Sequence, residues 1–265
     1  MTTAAIDALR AERQHVLDLI ESLSDEEWQL PSDCDGWRVQ DVIAHMSAVF
    51  VTVSGGDTAK AEPPSDDAER NADAAVEERR YWSSADVGAE YERSSATAID
   101  ALAGLQSPPL SDTVIPLGNL GHHPMHLLAD ALVFDHYCHL RHDLIAPGGP
   151  LARPDLPSDD LRLGPAMTWM LAGLPQMCAE GLSVLDRPVD LVFEGPGGGT
   201  WHLVPGTPFV SVVNGPADDA AATVTSNAHD FVSWGTARRP WRELGVQVHG
   251  DEPYAAVILD AINII

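Results

Sequence analysis

Lysine is almost missing from this chain: 265 residues carry one, Lys60, and Lys plus Arg total 15 against 40 Asp plus Glu, a net charge of −25. So acidic a surface repels phosphate backbones and anionic lipid headgroups, which argues against nucleic acid or a membrane surface as partner. The acidity itself is read as a solubility device. Cysteine is scarce too. Cys34, Cys138 and Cys178 are scattered with no C-x-x-C pair, which excludes a disulfide framework and fits a reduced, intracellular protein. No apolar run reaches the roughly eighteen residues a spanning helix needs. The opening MTTAAIDALRAERQ has no basic stretch followed by an apolar core, so no signal peptide is expected and the expected location is cytoplasmic.

Histidine, by contrast, is concentrated. Six of the eleven lie between Gly121 and Leu144, in GHHPMHLLADALVFDHYCHLRHDL. From Met125 onward nothing breaks a helix for about twenty residues. Asp135 and His139 stand four apart, so on a helix they share a face with Cβ atoms about 5–6 Å from each other. A polar pair on an otherwise apolar helix needs a partner to offset its desolvation: a metal, an arginine or a mutual hydrogen bond. His136 and His142 are rival ligands. His122, His123 and His126 are expected to cap or flank the helix start.

The length suits one large or two ordinary domains. Ile6, Leu9, Arg13, Val16, Leu17, Ile20 and Leu23 recur at helical spacing and predict a helix over 4–23. A turn carrying Trp28 and a loop over 31–36 follow. Val39, Val42, Ile43, Met46, Val49 and Phe50 then form one apolar face. His45 sits at the edge of that stripe and can point into the core. With Asp135 and His139 it would complete three N/O ligands and an open position, the arrangement of catalytic zinc. Residues 54–70 read as a polar loop, a candidate lid or crossover. A helix or broken pair spans 73–105 with its break at Ser83-Ser84, and 106–121 is a loop. Four helices with one long connection predict a four-helix bundle.

CDGWRVQDVIAHM resembles the N-terminal motif of the mycothiol-dependent maleylpyruvate isomerase family, within the DinB-like superfamily. Cys34, Gly36, Trp37, Val39, Asp41, Val42, Ala44 and His45 match it. DHYCHLRHDL resembles the family's helix-4 pattern, a carboxylate four residues before a histidine and then Asp-Leu, with one residue more than usual before Asp143-Leu144. The resemblance implies a divalent metal, usually zinc, on His45, Asp135 and His139. Two positions depart from it: Arg38 stands where the motif has a helix-capping Ser or Thr, and Asp135 where many relatives have Glu.

The Pro- and Gly-rich stretch over 146–157 reads as a linker, dividing a bundle over 1–146 from a second domain over 158–265. There a helix over 159–182 is expected to kink or break at Pro175. Strands are predicted at 189–194, 200–204, 209–213, 222–225 and 246–248. A glycine-rich hairpin turn lies at 195–199, a helix capped by Ser226 or Asn227 follows the fourth strand, and a terminal helix covers 253–264. Strands between flanking helices make an α+β domain. The segment from Ala222 onward resembles the sterol-carrier-like C-terminal domain of the same enzymes.

Together these readings predict an α plus α/β two-domain protein: a DinB-like four-helix bundle and an α+β domain. The resemblance implies a metal-activated thiol, mycothiol, adding to an electron-poor double bond of a small molecule. Expulsion of the thiol gives cis–trans isomerisation; retention gives S-transfer. Arg238, in the Arg238-Arg239 pair, is the expected anion contact at a cleft between the domains. The alternatives are a metal-stabilised binding protein without activity and a hydrolase using zinc hydroxide.

Overall fold

A computed structural model of the chain describes residues 3–55 and 65–264. It divides into two compact units, one of residues 1–118 and 122–157, the other of residues 119–121 and 158–265.

The first unit is helical. Its core helices are α1 (Ala4–Ser22), α3 (Val39–Val53), α5 (Ser84–Gly104) and α6 (Leu127–Cys138), with α2 (Asp25–Trp28) and α4 (Ala68–Arg79) between them. The apolar stripes meet in one core built from Leu9, Val16, Ile43, Met46, Phe50, Tyr91, Leu102, Val133 and Leu140. In α1 the buried stripe runs through Glu12 rather than Arg13, whose guanidinium instead reaches Ser95 Oγ at 2.8 Å. The polar stretch read as a lid falls largely on 56–64, outside the described residues. Its end is already helix, because Asp67 accepts from the Arg70 N–H and caps α4.

Three further readings are corrected. The segment over 106–121 is not all loop: β1 (Val114–Pro116) pairs antiparallel with β2 (His122–Pro124). His122 and His123 therefore lie in a strand. His126 flanks the helix start as expected, at the N-cap position of α6, with its Nδ1 2.8 Å from the Ser111 carbonyl oxygen and no side-chain cap. The linker is not a free tether either. Leu151 is fully buried, its N–H bonds Leu144 O at 2.9 Å, and Arg153 makes a two-pronged pair with Glu27 at 2.8 and 2.9 Å. Burial and hydrogen bonding attach 147–157 to the helical unit.

The second unit is a mixed five-stranded sheet with helices. Its strands are β3 (Val189–Glu194), β4 (Gly199–Val204), β5 (Ser211–Asn214), β6 (Ala222–Asn227) and β7 (Gln247–Gly250), in the order β5-β4-β3-β6-β7. Only the central β3–β6 pairing is parallel. Helix α7 (Asp160–Met177) precedes the sheet, α8 (Ala228–Gly235) follows β6 and α9 (Glu252–Asp260) follows β7. Pro175 does not break α7, which ends two residues later, since a proline's missing bond falls on the preceding turn. The glycine-rich turn joins β3 to β4 with Gly195 and Gly197 at φ 79° and 70°, conformations that favour glycine. Phe193 stacks on Phe231 of α8 at 4.3 Å in this unit's core. Among the described residues no helix is long and apolar enough to cross a membrane.

Candidate metal centre

The centre is assembled by α3, α6 and the turn that continues α6 from His139. On α3, Val42, Ile43, Met46 and Phe50 are fully buried, and their pull fixes the rotation that turns His45, at the stripe's edge, toward α6. The start of α3 is held without a Ser or Thr cap. Asp41 accepts the Arg38 N–H at 2.9 Å and the same residue's guanidinium at 2.9 and 2.8 Å. Arg38 thus turns the expected loss of a cap into a charge-assisted one.

The three expected ligands come together. His45 Nε2 lies 3.0 Å from Asp135 Oδ1, and His139 Nε2 lies 3.5 Å from the same oxygen. Two ligand atoms bound to zinc at about 2.0–2.1 Å in a tetrahedron stand about 3.3 Å apart, between these two distances. The rings of His45 and His139 meet edge to face at 5.0 Å, and Trp37 packs on His45 at 5.2 Å. Side-chain exposures of 12, 20 and 10% for His45, Asp135 and His139 leave the site largely dry but reachable.

Charge and hydrogen bonding are unfinished there without an ion. Burial pushes the Asp135 carboxyl up, but the His139 and His45 rings outweigh it and hold it well below the usual carboxylate range. Burial also opposes a charge on His139, yet Asp135, with Asp143 behind it, lifts the ring well above the ordinary imidazole range. Asp135 Oδ2 is buried without a hydrogen bond, within reach of an ion held on Oδ1; His45 Nδ1, also buried without one, is the ring nitrogen away from Asp135. The donor near Asp135 Oδ2, His136 Nδ1 at 3.4 Å, is closer to Leu132 O at 2.9 Å. A buried carboxylate with two imidazoles on one oxygen is a donor set that a divalent cation fits. It must displace the His139 proton, so affinity falls as pH is lowered.

The rival ligands are occupied elsewhere. His136 is fully buried and uses Nε2 on the Tyr91 hydroxyl at 3.1 Å. His142 packs its ring on Tyr137 at 6.3 Å and is in none of the metal-competent groups of the described residues.

Sequence reasoning missed what lies behind His139. Residues 139–144 form a π turn, closed by Ile145 N–H to Leu140 O at 3.1 Å. Such a turn accommodates a residue beyond the α-helical count, which is the extra residue before Asp143-Leu144. Through it Asp143, 1% exposed, accepts from or faces His139 Nδ1 at 2.8 Å. A carboxylate on the far nitrogen fixes the ring and leaves Nε2 toward Asp135. Asp143→Asn is therefore expected to weaken zinc affinity at the His45, Asp135 and His139 centre about ten- to a hundredfold, read by competition with a chelating dye.

With this geometry in view, the comparisons with known proteins are decisive at one level. The mycothiol maleylpyruvate isomerase N-terminal domain family matches residues 9–141. The chain belongs to that family. His45, Asp135 and His139 all fall inside the matched residues. Two solved structures described as the mycothiol-dependent maleylpyruvate isomerase, one a histidine-to-alanine mutant, share the two-domain fold, with TM-scores of 0.58 and 0.57. Each is 15% identical and covers 94% of this chain and 95% of its own. At that identity the likeness speaks for the fold. No curated protein sequence matches this one.

Arg238 lies in the second unit, after α8. Its N–H bonds Ser233 O at 3.1 Å while Ala237 N–H bonds Trp234 O at 3.2 Å, the two bonds of a Schellman helix end. Ala237 occupies the left-handed position at φ 56°, where glycine is usual. Arg238 is half-buried, whereas Arg239 is exposed and approaches Glu243 at 3.6 Å.

Proposed function

We propose that this protein is a zinc- and mycothiol-dependent enzyme that adds the thiol to an electrophilic small molecule, with isomerisation or S-transfer as the outcome. One observation carries the reading: in a member of this family, His45 Nε2 and His139 Nε2 converge on Asp135 Oδ1. A divalent ion held by these three would favour the thiolate, the nucleophilic form of a thiol, at neutral pH. The protein's own part is geometric. Asp143 orients His139, Trp37 shields one side of His45 from water, and three protein ligands leave a coordination position for an external thiol.

Arg238 is proposed as the anion contact, supported by its guanidinium in a chain of net charge −25 and by solved structures named for maleylpyruvate, a dicarboxylate. Arg238→Ala is expected to leave metal content unchanged and raise KM about ten- to a hundredfold, the loss of a charged contact worth about 1.5–3 kcal/mol. Steady-state kinetics beside metal analysis checks it.

The test of the function supplies purified zinc-loaded protein with mycothiol and a panel of activated alkenes that includes maleylpyruvate. Turnover that requires the thiol supports the proposal. Turnover without it favours a hydrolase, and absence of both turnover and thiol binding leaves a structural metal site.

A further inference from the structure

His139 has metal-ligating side chains at both ring nitrogens. Nε2 faces Asp135 and His45, as described. Nδ1 faces the other way, 2.8 Å from Asp143 Oδ2 and 3.8 Å from Cys34 Sγ, and the Cys34, His139 and Asp143 donor atoms all lie within 4.8 Å of one another. Orienting the imidazole accounts for Asp143 but not for the thiol beside it. A separation of 3.8 Å allows at most a weak hydrogen bond to sulfur. It is close to the sulfur–nitrogen edge of a tetrahedral zinc site, about 3.6 Å for bonds of about 2.3 and 2.0–2.1 Å.

We propose that Cys34, His139 Nδ1 and Asp143 form a second cation site, for a thiophilic divalent ion such as zinc or cadmium, back to back with the first across the shared imidazole. It rests on the reading of the first centre only in sharing His139.

The thiol is held in place by a built loop. Asp33 N–H bonds the Asp143 carbonyl at 3.0 Å, Ser32 Oγ accepts from Cys34 N–H at 3.2 Å, and Trp37 N–H returns to Cys34 O at 3.0 Å. Half-buried Cys34 gives an ion access, and Asp143 supplies charge from a buried position. The donor set is softer than the first: one thiolate, one imidazole and one carboxylate against two imidazoles and a carboxylate. Binding releases two protons to the buffer, from Cys34 Sγ and His139 Nδ1. It also turns Asp143 from a hydrogen-bond partner into a ligand, opening its contact with Nδ1 from 2.8 Å to about 3.3 Å. Cys138 and Cys178 are buried and join no such group among the described residues.

The experiment titrates metal-free full-length protein with cadmium and follows the ultraviolet thiolate-to-cadmium charge-transfer band together with the stoichiometry. The wild type is expected to take two equivalents and to develop the band. Cys34→Ser should lose the band and one equivalent while keeping its circular dichroism. His45→Ala should lose one equivalent and keep the band. No band in the wild type at millimolar cadmium, or a band that survives Cys34→Ser, overturns the second site. A His45→Ala protein that still binds two equivalents would instead count against the first centre, so the two failures are distinguishable.

Discussion

His45→Ala is expected to remove the metal shared by Asp135 and His139, and activity with it. The substitution deletes one of the two imidazoles on Asp135 Oδ1 and leaves that buried carboxylate with His139 alone. Substitutions that only support a ligand cost ten- to a hundredfold in affinity, so loss of a ligand should weaken zinc by more than about a hundredfold. Activity should vanish in proportion to bound metal and should not return with added mycothiol. Isothermal titration with zinc, run beside turnover, checks both. A variant that keeps full metal content but loses turnover would make His45 an acid–base group instead. The fold should survive, because His45 sits at the edge of the α3 stripe and the buried Val42, Ile43, Met46 and Phe50 remain.

The second large effect is on stability and lies in the π turn that begins at His139. Glu12 of α1 is fully buried and receives both terminal nitrogens of Arg141 at 2.9 Å. Arg141 also donates to Pro157 O at 2.7 Å and lies over the Tyr137 ring at 4.1 Å. One guanidinium in the π turn therefore joins α1, α6 and the end of the segment that closes the helical unit. Glu12→Ala leaves that cation buried without its carboxylate, which typically costs about 3–5 kcal/mol. Urea denaturation should show the loss. Replacing both partners with apolar residues of similar volume, Glu12→Leu with Arg141→Met, should recover much of it, since a paired charge is worth little more than good packing there. A loss below about 1 kcal/mol for Glu12→Ala would mean that water reaches Arg141.

How much of this was legible in the residues depends on the range of the interaction. Apolar periodicity in Val39–Phe50 located α3, and the change from helical spacing to alternation after Val189 located the sheet, because both patterns are local. His45, Asp135 and His139 could be gathered from two motifs, although 90 residues separate the first two. What stayed hidden depends on tertiary partners. Glu12 looks like a surface charge until Arg141 appears opposite it, 129 residues on. The Pro-rich segment over 146–157 carries every sign of a linker, and only burial of Leu151 shows that it is part of the helical core. The extra residue before Asp143 was visible, but its consequence was not: a π turn that brings the carboxylate onto His139.

The most direct test is zinc K-edge absorption on the Cys34→Ser protein loaded with one equivalent of zinc, before and after mycothiol. With Cys34 replaced, any sulfur in the coordination shell comes from the added thiol. The account predicts two imidazoles and a carboxylate oxygen at about 2.0–2.2 Å before addition, and one new sulfur at about 2.3 Å with both imidazoles retained afterwards. A shell without two imidazoles, or one that saturating mycothiol leaves unchanged, would contradict it.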